Sequence, residues 1–83
     1  MKRGRFDVID DMLQGANGGT KKTNLMHRAN MSTKQIEGYL SLLINKKLVE
    51  KYSSNNGDGA MYKITKRGRE FQATYRQLKG FII

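Results

Sequence analysis

The sequence contains no cysteine, no proline and no tryptophan, and it has a single histidine. Without cysteine, both disulfide bonds and cysteine-ligated zinc sites are excluded. The one histidine, His27, lacks the partners that a metal site requires and is expected to be a helix-surface or partly packed residue. No acidic pair lies in a recognisable catalytic motif, so we expect no enzymatic activity, no cofactor and no small-molecule substrate.

Acidic residues are also scarce, since 7 of them stand against 16 lysines and arginines and leave a formal net charge of +9. Such an excess of positive charge attracts polyanions and speeds association with them. Lys2, Arg3 and Arg5 could form a basic arm for a minor groove, or simply solubilise the terminus. Long apolar runs and the apolar stretch of a signal peptide are missing. Composition therefore favours a nucleic-acid partner in the cytoplasm over a membrane, without distinguishing DNA from RNA.

The length of 83 residues fits one domain, over residues 1–83, without internal repeats. Two clusters rich in glycine and asparagine, at residues 15–19 and 53–59, are typical of turns and are too short for interdomain linkers. A domain of this size buries only about 60–65% of the surface of its unfolded chain, so its core should be thin. A second subunit would add to that core.

The spacing of apolar residues predicts two helices in the first third of the chain. Phe6 and Ile9 belong to a set that recurs at helical intervals and indicates a first helix over residues 5–14. Thr20 is expected to cap a second helix over residues 21–28.

A short break and a strong start signal precede a third helix. Asn30 can take the left-handed conformation that ends a helix. Ser32 is followed three residues later by Gln35, which is the pattern of a capping box at a helix start. The third helix is expected to end near Lys46 and Lys47, because cations favour the negative end of a helix dipole. A short break between two helices indicates a helix-turn-helix motif.

The remaining residues predict a hairpin and a last helix. Apolar and aromatic residues at 48–52 and 60–64 indicate two strands joined by a loop of about six residues. Thr65 is expected to cap a C-terminal helix over residues 66–83, which Gly80 loosens or ends. The predicted fold is α+β and mainly α: a winged helix-turn-helix of three helices, a two-stranded β-hairpin wing and a C-terminal helix.

The third helix of such a motif enters the major groove of B-DNA with its N-terminal residues foremost. In this sequence every side chain of that turn can donate a hydrogen bond: Ser32, Thr33, Lys34 and Gln35. The second helix adds cations where free backbone N–H groups face anions, and the 53–59 wing adds polar groups for a minor groove or a phosphate ridge. These flanking DNA-binding candidates are Lys21, Lys22, Thr23, Arg28, Lys51, Ser54, Asn55 and Asn56.

Each of these sets also has a purely structural interpretation. Ser32 and Gln35 can serve only as helix caps, the basic start of the second helix can be a solvated turn, and the 53–59 wing can be an ordinary loop. Glu37 opposes dense phosphate contact further along the third helix.

The last helix carries more apolar surface than a small core can absorb, which predicts a homodimer that forms through this helix. The alternative is that Phe71 and Tyr75 close the core of a monomer. The candidate dimerisation residues are Phe71, Tyr75, Leu78, Phe81 and Ile82.

A set of short motifs runs through most of the chain: Thr20-Lys21, Ala29-Asn30, Tyr39-Leu40, and Ile64-Thr65-Lys66 with Gly68. In these residues the sequence resembles the small archaeal winged helix-turn-helix proteins, which include chromatin-associated and regulatory DNA-binding proteins that dimerise through the last helix. The resemblance implies the same fold, double-stranded DNA as partner and a homodimer. The sequence departs from the chromatin-type relatives in its shorter C-terminal helix, where they carry a long coiled coil. It departs from the family where Lys47 stands in place of a glycine before Leu48.

The resulting hypothesis is a DNA-binding protein, sequence-specific or architectural, that acts as a transcription regulator. A winged-helix module for protein–protein interaction is the alternative from a different class, and the charge opposes it. RNA binding is a further alternative, but an exposed aromatic platform for single strands is not evident in the sequence.

Overall fold

Four helices and three short strands make up the described residues, 4–53 and 59–82, of the computed structural model. The predicted order of helix, helix, helix, hairpin and helix is confirmed, and one strand is added to it. In chain order the elements are α1 (Arg5–Gly15), β1 (Thr20–Lys21), α2 (Lys22–Ala29), α3 (Thr33–Asn45), β2 (Val49–Ser53), β3 (Ala60–Ile64) and α4 (Lys66–Ile82).

The first three helices contribute apolar stripes to one core, which the sheet closes. The largest fully buried side chains are Met12, Leu13, Leu25, Ile36 and Leu43. Burial of each such side chain stabilises the fold by about 1.5–3 kcal/mol relative to its exposure to water. Because Ile36 and Leu43 lie on α3, the core fixes this helix and leaves its opposite side facing solvent.

The break between α2 and α3 has the geometry that the sequence predicts. Asn30 lies in the left-handed region with φ 54° and ψ 52°, and Met31 N donates to Met26 O at 3.0 Å. Ser32 Oγ accepts from Gln35 N at 3.3 Å, while Gln35 Oε1 accepts from Ser32 N at 3.1 Å. This reciprocal capping box satisfies two backbone donors that the helix itself leaves unpaired. The turn and the start of α3 are thereby fixed locally.

The prediction that Thr20 caps α2 is wrong. Thr20 and Lys21 form a strand that pairs antiparallel with Tyr62 and Met61 of β3, so the sheet has the order β1-β3-β2. Thr20 is consequently buried, and α2 begins at Lys22 without a side-chain cap. The hairpin itself is confirmed, with β3 at the predicted residues and β2 shifted by one residue toward the C-terminus.

Of the two predicted effects of Gly80, an end of the last helix is wrong, because α4 continues to Ile82, while a loosened helix stays a prediction. A glycine inside a helix costs only about 1 kcal/mol relative to alanine, which its neighbours can offset. The predicted cap is confirmed: Thr65 Oγ1 accepts from Gly68 N at 3.0 Å and donates to Lys47 O at 2.6 Å. The start of α4 is therefore tied to the segment that follows α3.

Lys47 occupies a backbone conformation that disfavours side chains, with φ 62°. Replacing Lys47 with glycine should stabilise the fold by about 0.5–1 kcal/mol, because relief of left-handed strain outweighs the added freedom of the unfolded chain. Urea unfolding followed by circular dichroism measures this as a higher midpoint. The matched control is Lys46→Gly, since Lys46 has φ −87° and gains nothing from glycine. A lower midpoint for Lys47→Gly than for the unchanged protein would contradict the prediction.

Candidate nucleic-acid interface

The solvent-facing side of α3 is a strip of polar and small residues. The opposite side carries Ile36, Leu40 and Leu43, which are buried in the core. Because an α-helix has about 3.6 residues per turn, a second set of residues, spaced three or four apart, lies opposite these buried positions and points away from the core. All of them are exposed. We name this set the outer stripe, which consists of Lys34, Gly38, Ser41 and Asn45.

The N-terminal turn of α3 divides into capping and non-capping side chains, although all four of its candidate residues are exposed. Ser32 and Gln35 bind each other in the capping box, and their side-chain oxygens lie 3.4 Å apart. A bidentate pairing of Gln35 with adenine requires both its amide oxygen and nitrogen, so it would break this box. Thr33 and Lys34 lie outside the box and present their side chains without that conflict.

One flank of α3 brings together two of the predicted lysines. Lys22 of α2 and Lys51 of β2 line a depression of about 290 Å³ between α3 and the sheet. Lys22 Nζ also lies 3.3 Å from Glu37 Oε1 of α3. Because both side chains of this ion pair are partly or largely exposed, it contributes only about 0–1 kcal/mol and can rearrange when a phosphate approaches.

The other flank of α3 carries a cation that the sequence did not place there. Arg5 is the first residue of α1 and not part of a separate arm, and it lines a depression of about 260 Å³ together with Lys34 and Gly38. Its side chain stands at the positive end of the α1 dipole, which is an unfavourable place for a cation. The sequence indicated a DNA contact for Arg5 only as part of a basic arm, and this misfit is the signal for its place at the start of α1.

Arg28 is placed away from α3 by its contacts with α1. Its Nε donates to the backbone oxygen and to Oδ1 of Asp11, both at 3.1 Å, and its Nη2 donates to Gln14 Oε1 at 3.0 Å. The structure therefore does not bring Arg28 together with the other candidates. Its predicted contact with DNA would require this network to open.

The remaining candidates of the first half lie on β1 and α2, where Lys21 and Thr23 are both exposed. Lys21 lies on the strand that precedes α2 and is its N-cap residue. The loop candidates Ser54, Asn55 and Asn56 fall outside the described residues, as do Lys2 and Arg3. Their predicted roles stay predictions.

A cluster of three rings joins α4 to α1. Phe71 and Tyr75 stack with ring centroids 6.1 Å apart, and Phe6 of α1 lies 6.3 Å from each of them. The Tyr75 hydroxyl donates to Asp7 Oδ1, and this hydrogen bond, with partial desolvation, raises the pKa of Tyr75 to about 12. Lys79 Nζ lies 3.8 Å from the same carboxylate oxygen. Phe71 also packs against the core, as the monomer alternative expects, whereas Tyr75 contacts the rings of Phe6 and Phe71.

The other three dimerisation candidates are exposed on α4. The exposed fraction is 54% for Leu78, 87% for Phe81 and 77% for Ile82, and Phe6 of α1 adds a ring that is 57% exposed. Between α1 and α4 lies a depression of about 140 Å³ with an apolar lining that includes Phe6, Phe71 and Leu78. We name this surface, formed by Phe6, Leu78, Phe81 and Ile82, the apolar patch. Within one chain nothing among the described residues covers it.

Metal-binding and membrane-spanning features were absent from the described part of the chain. Residues 4–53 and 59–82 contain no group of three or more side chains that could hold a metal ion. No helix in the same ranges is both long and apolar enough to span a bilayer. His27 is exposed on α2, as expected.

The chain as a whole matches a family model described as winged helix-turn-helix, over residues 2–82. No curated protein matches it in sequence. Among solved structures, the DNA-binding protein Sso10a-2 from Sulfolobus solfataricus is similar with a TM-score of 0.83 at 19% identity, over 95% of this chain and 81% of that one.

Two regulators share the fold at a similar level. A mutant of MarR from E. coli, complexed with operator DNA, gives a TM-score of 0.78 at 21% identity, over 96% of this chain and 56% of that one. The transcriptional regulator PcaV from Streptomyces coelicolor, in complex with its natural ligand, gives 0.71 at 15% identity, over 96% of this chain and 61% of that one. The present chain thus spans less than two thirds of either regulator. At these identities the similarity shows a shared fold.

Proposed function

The chain belongs to the winged helix-turn-helix family, and we propose that it binds double-stranded DNA as a transcription regulator or an architectural protein. The observation that carries this proposal is the placement of cations on both flanks of α3. Arg5 and Lys34 line the depression on one side, while Lys22 and Lys51 line the depression on the other. The fold is shared with the DNA-binding protein Sso10a-2 and with MarR bound to operator DNA, which supports the same class of partner.

This arrangement suits a helix in the major groove. The groove of B-DNA is about 12 Å wide, so it admits one α-helix and places a phosphate backbone along each side of it. Cations on both flanks of α3 would then meet both strands. The outer stripe would face the base edges, with Lys34 at its leading end and Thr33 beside Lys34 in the first turn of α3. Contacts with phosphates position such a protein, whereas contacts with bases give it specificity.

We further propose that two chains associate through α4. The apolar patch is exposed, and it is continuous with the ring cluster that joins α4 to α1. Exposed apolar surface of this kind usually marks an interface between proteins. A symmetric dimer would cover the patch on both chains at once and would present two copies of α3 to successive turns of a duplex.

The test of DNA binding is a charge substitution on the outer stripe. Replacing Lys34 with alanine should weaken binding to a mixed-sequence duplex roughly 3- to 10-fold at moderate salt and lower the slope of log affinity against log salt by about 1. Fluorescence anisotropy with a labelled duplex at several salt concentrations measures both quantities. Lys34 is exposed, so its removal should leave the unfolding midpoint nearly unchanged.

Arg76→Ala is the matched control, because it removes the same charge from an exposed position of α4, away from α3. Equal affinities of the two variants would contradict the placement of DNA on α3. Failure of the unchanged protein to bind any duplex would overturn the proposed function. Binding to a protein partner that salt barely affects would then favour an interaction module.

A further inference from the structure

Gly38 lies in the middle of α3, where a glycine weakens a helix relative to alanine. No packing contact among the described residues requires it, because a Cβ atom at this position would meet nothing within 4 Å outside its own helix backbone. Gly68 is the opposite case, since a Cβ there would lie 2.3 Å from the backbone oxygen of Leu48. The glycine therefore serves no contact among the described residues, and it leaves the solvent-facing side of α3 without a side chain at this point.

The position of Gly38 on the helix indicates where that reason lies. Gly38 is two residues after the buried Ile36 and two before the buried Leu40, so at about 3.6 residues per turn it points almost directly away from the core. Along the outer stripe it lies between Lys34 and Ser41. It also borders the depression that Arg5 and Lys34 line. Any ligand that docks on the outer stripe comes closest to the helix axis at this residue.

We propose that Gly38 is the point of closest approach between α3 and the base edges of the major groove, and thus a specificity-determining position; this inference rests on the proposed function. Without a side chain at Gly38, the backbone of α3 can settle deeper into the groove. Lys34 and Ser41, about one turn away on either side, can then reach the same short run of bases. A methyl group at Gly38 would hold the helix away and lengthen those hydrogen bonds together.

The residues around Gly38 favour a base over a phosphate as the DNA group that lies closest to it. Arg5 lies on one side of α3, and Lys22 and Lys51 lie on the other, where the phosphate backbones would run. Gly38 lies on the outer stripe between them and borders the depression that Arg5 lines. The outer stripe itself carries a single cation, Lys34, and Glu37 beside it opposes phosphate contact. Beyond Lys34 the stripe consists of short uncharged residues, which suit the floor of the groove better than its edges.

Gly38→Ala distinguishes a role in DNA binding from an effect on stability, because it should raise the stability of the fold and lower the affinity for DNA. The melting temperature should rise by about 3–6 °C, since alanine favours the helix and meets no clash. Affinity for a duplex selected from random sequences should nevertheless fall roughly tenfold, the size of one disrupted base-pair contact, with a smaller loss for a mixed-sequence duplex. Gly38→Gln, a larger residue that helices also accept, should bind the selected duplex more weakly still.

Gly80→Ala is the matched control. It lies in an exposed part of α4 where a Cβ also meets nothing, so it should raise the melting temperature similarly and leave affinity unchanged. Unchanged or tighter binding of the selected duplex by Gly38→Ala would overturn the inference, as would equal losses for the selected and mixed duplexes. These results leave the proposed function intact, which fails only if the unchanged protein binds no duplex.

Discussion

Replacing Gly68 with alanine should destabilise the fold by about 3 kcal/mol or more, which is a large share of the 5–15 kcal/mol that holds a typical domain together. The added Cβ would lie 2.3 Å from Leu48 O and 2.6 Å from Ile64 Cγ1. The first of these neighbours is backbone and cannot rotate away. Urea unfolding followed by circular dichroism should show a much lower midpoint, or no cooperative transition at 25 °C.

The clash cannot be relieved by a small shift of α4, because several hydrogen bonds fix the start of that helix. Thr65 Oγ1 donates to Lys47 O at 2.6 Å, and Thr65 N donates to Leu48 O at 3.1 Å. Arg67 Nε adds a bond to Lys46 O at 2.9 Å. A shift that makes room for the methyl group would weaken all of them, so overpacking and lost hydrogen bonds add together.

Gly80→Ala again provides the comparison, since it makes the same chemical change in the same helix. With open space around its Cβ, it should stabilise the fold by about 0.5–1 kcal/mol. If both variants unfold at the same urea concentration, the close approach of α4 to Leu48 is not a determinant of stability. The pair thus measures how tightly this junction is packed.

Replacing Leu78 with glutamate should raise the dissociation constant of the proposed dimer roughly a hundredfold or more, because an unpaired charge would be buried in the interface. Analytical ultracentrifugation at micromolar concentration should then give a dimer for the unchanged protein and a monomer for the variant. The monomer should remain folded, since Leu78 is 54% exposed and lies outside the core cluster.

Ala73→Glu is the control for the dimer, because it adds the same charge at an exposed residue of α4 that lies about 140° round the helix from Leu78. It should sediment as the unchanged protein does. A monomeric mass for the unchanged protein at micromolar concentration would rule out association through α4. A dimeric mass for Leu78→Glu would place the interface elsewhere.

Features set by neighbouring residues could be predicted from the sequence. The left-handed Asn30 and the capping box of Ser32 and Gln35 depend on groups within four residues of each other, so composition and spacing suffice to indicate them. The cap of α4 by Thr65 belongs to the same class. These local signals fix the helix-turn-helix and the start of the last helix, and with them the fold.

Features set by distant residues were missed for a physical reason. β1 is a strand only because Thr20 and Lys21 pair with β3, and two residues carry no periodic pattern of their own. The positions of Arg5 and Arg28 depend on how α1 packs against its neighbours, which spacing along one helix does not reveal. Arg5 consequently lies beside α3, while Arg28 is held by Asp11. The outer stripe, by contrast, follows from helical periodicity once the buried side of α3 is known.

Hydrogen bonds hold α4 at both ends of the segment that contacts the rest of the chain, and this has a consequence for the geometry of a dimer. Thr65 joins α4 to the segment after α3, and Tyr75 joins it to Asp7 of α1. A helix of 17 residues is about 25 Å long, and because α4 is held at two points it behaves as a rigid rod. In a dimer that associates through α4, the angle between α4 and the rest of its chain would set the separation of the two α3 helices. The hydrogen bonds around Thr65 would thus determine the preferred spacing of the half-sites on DNA.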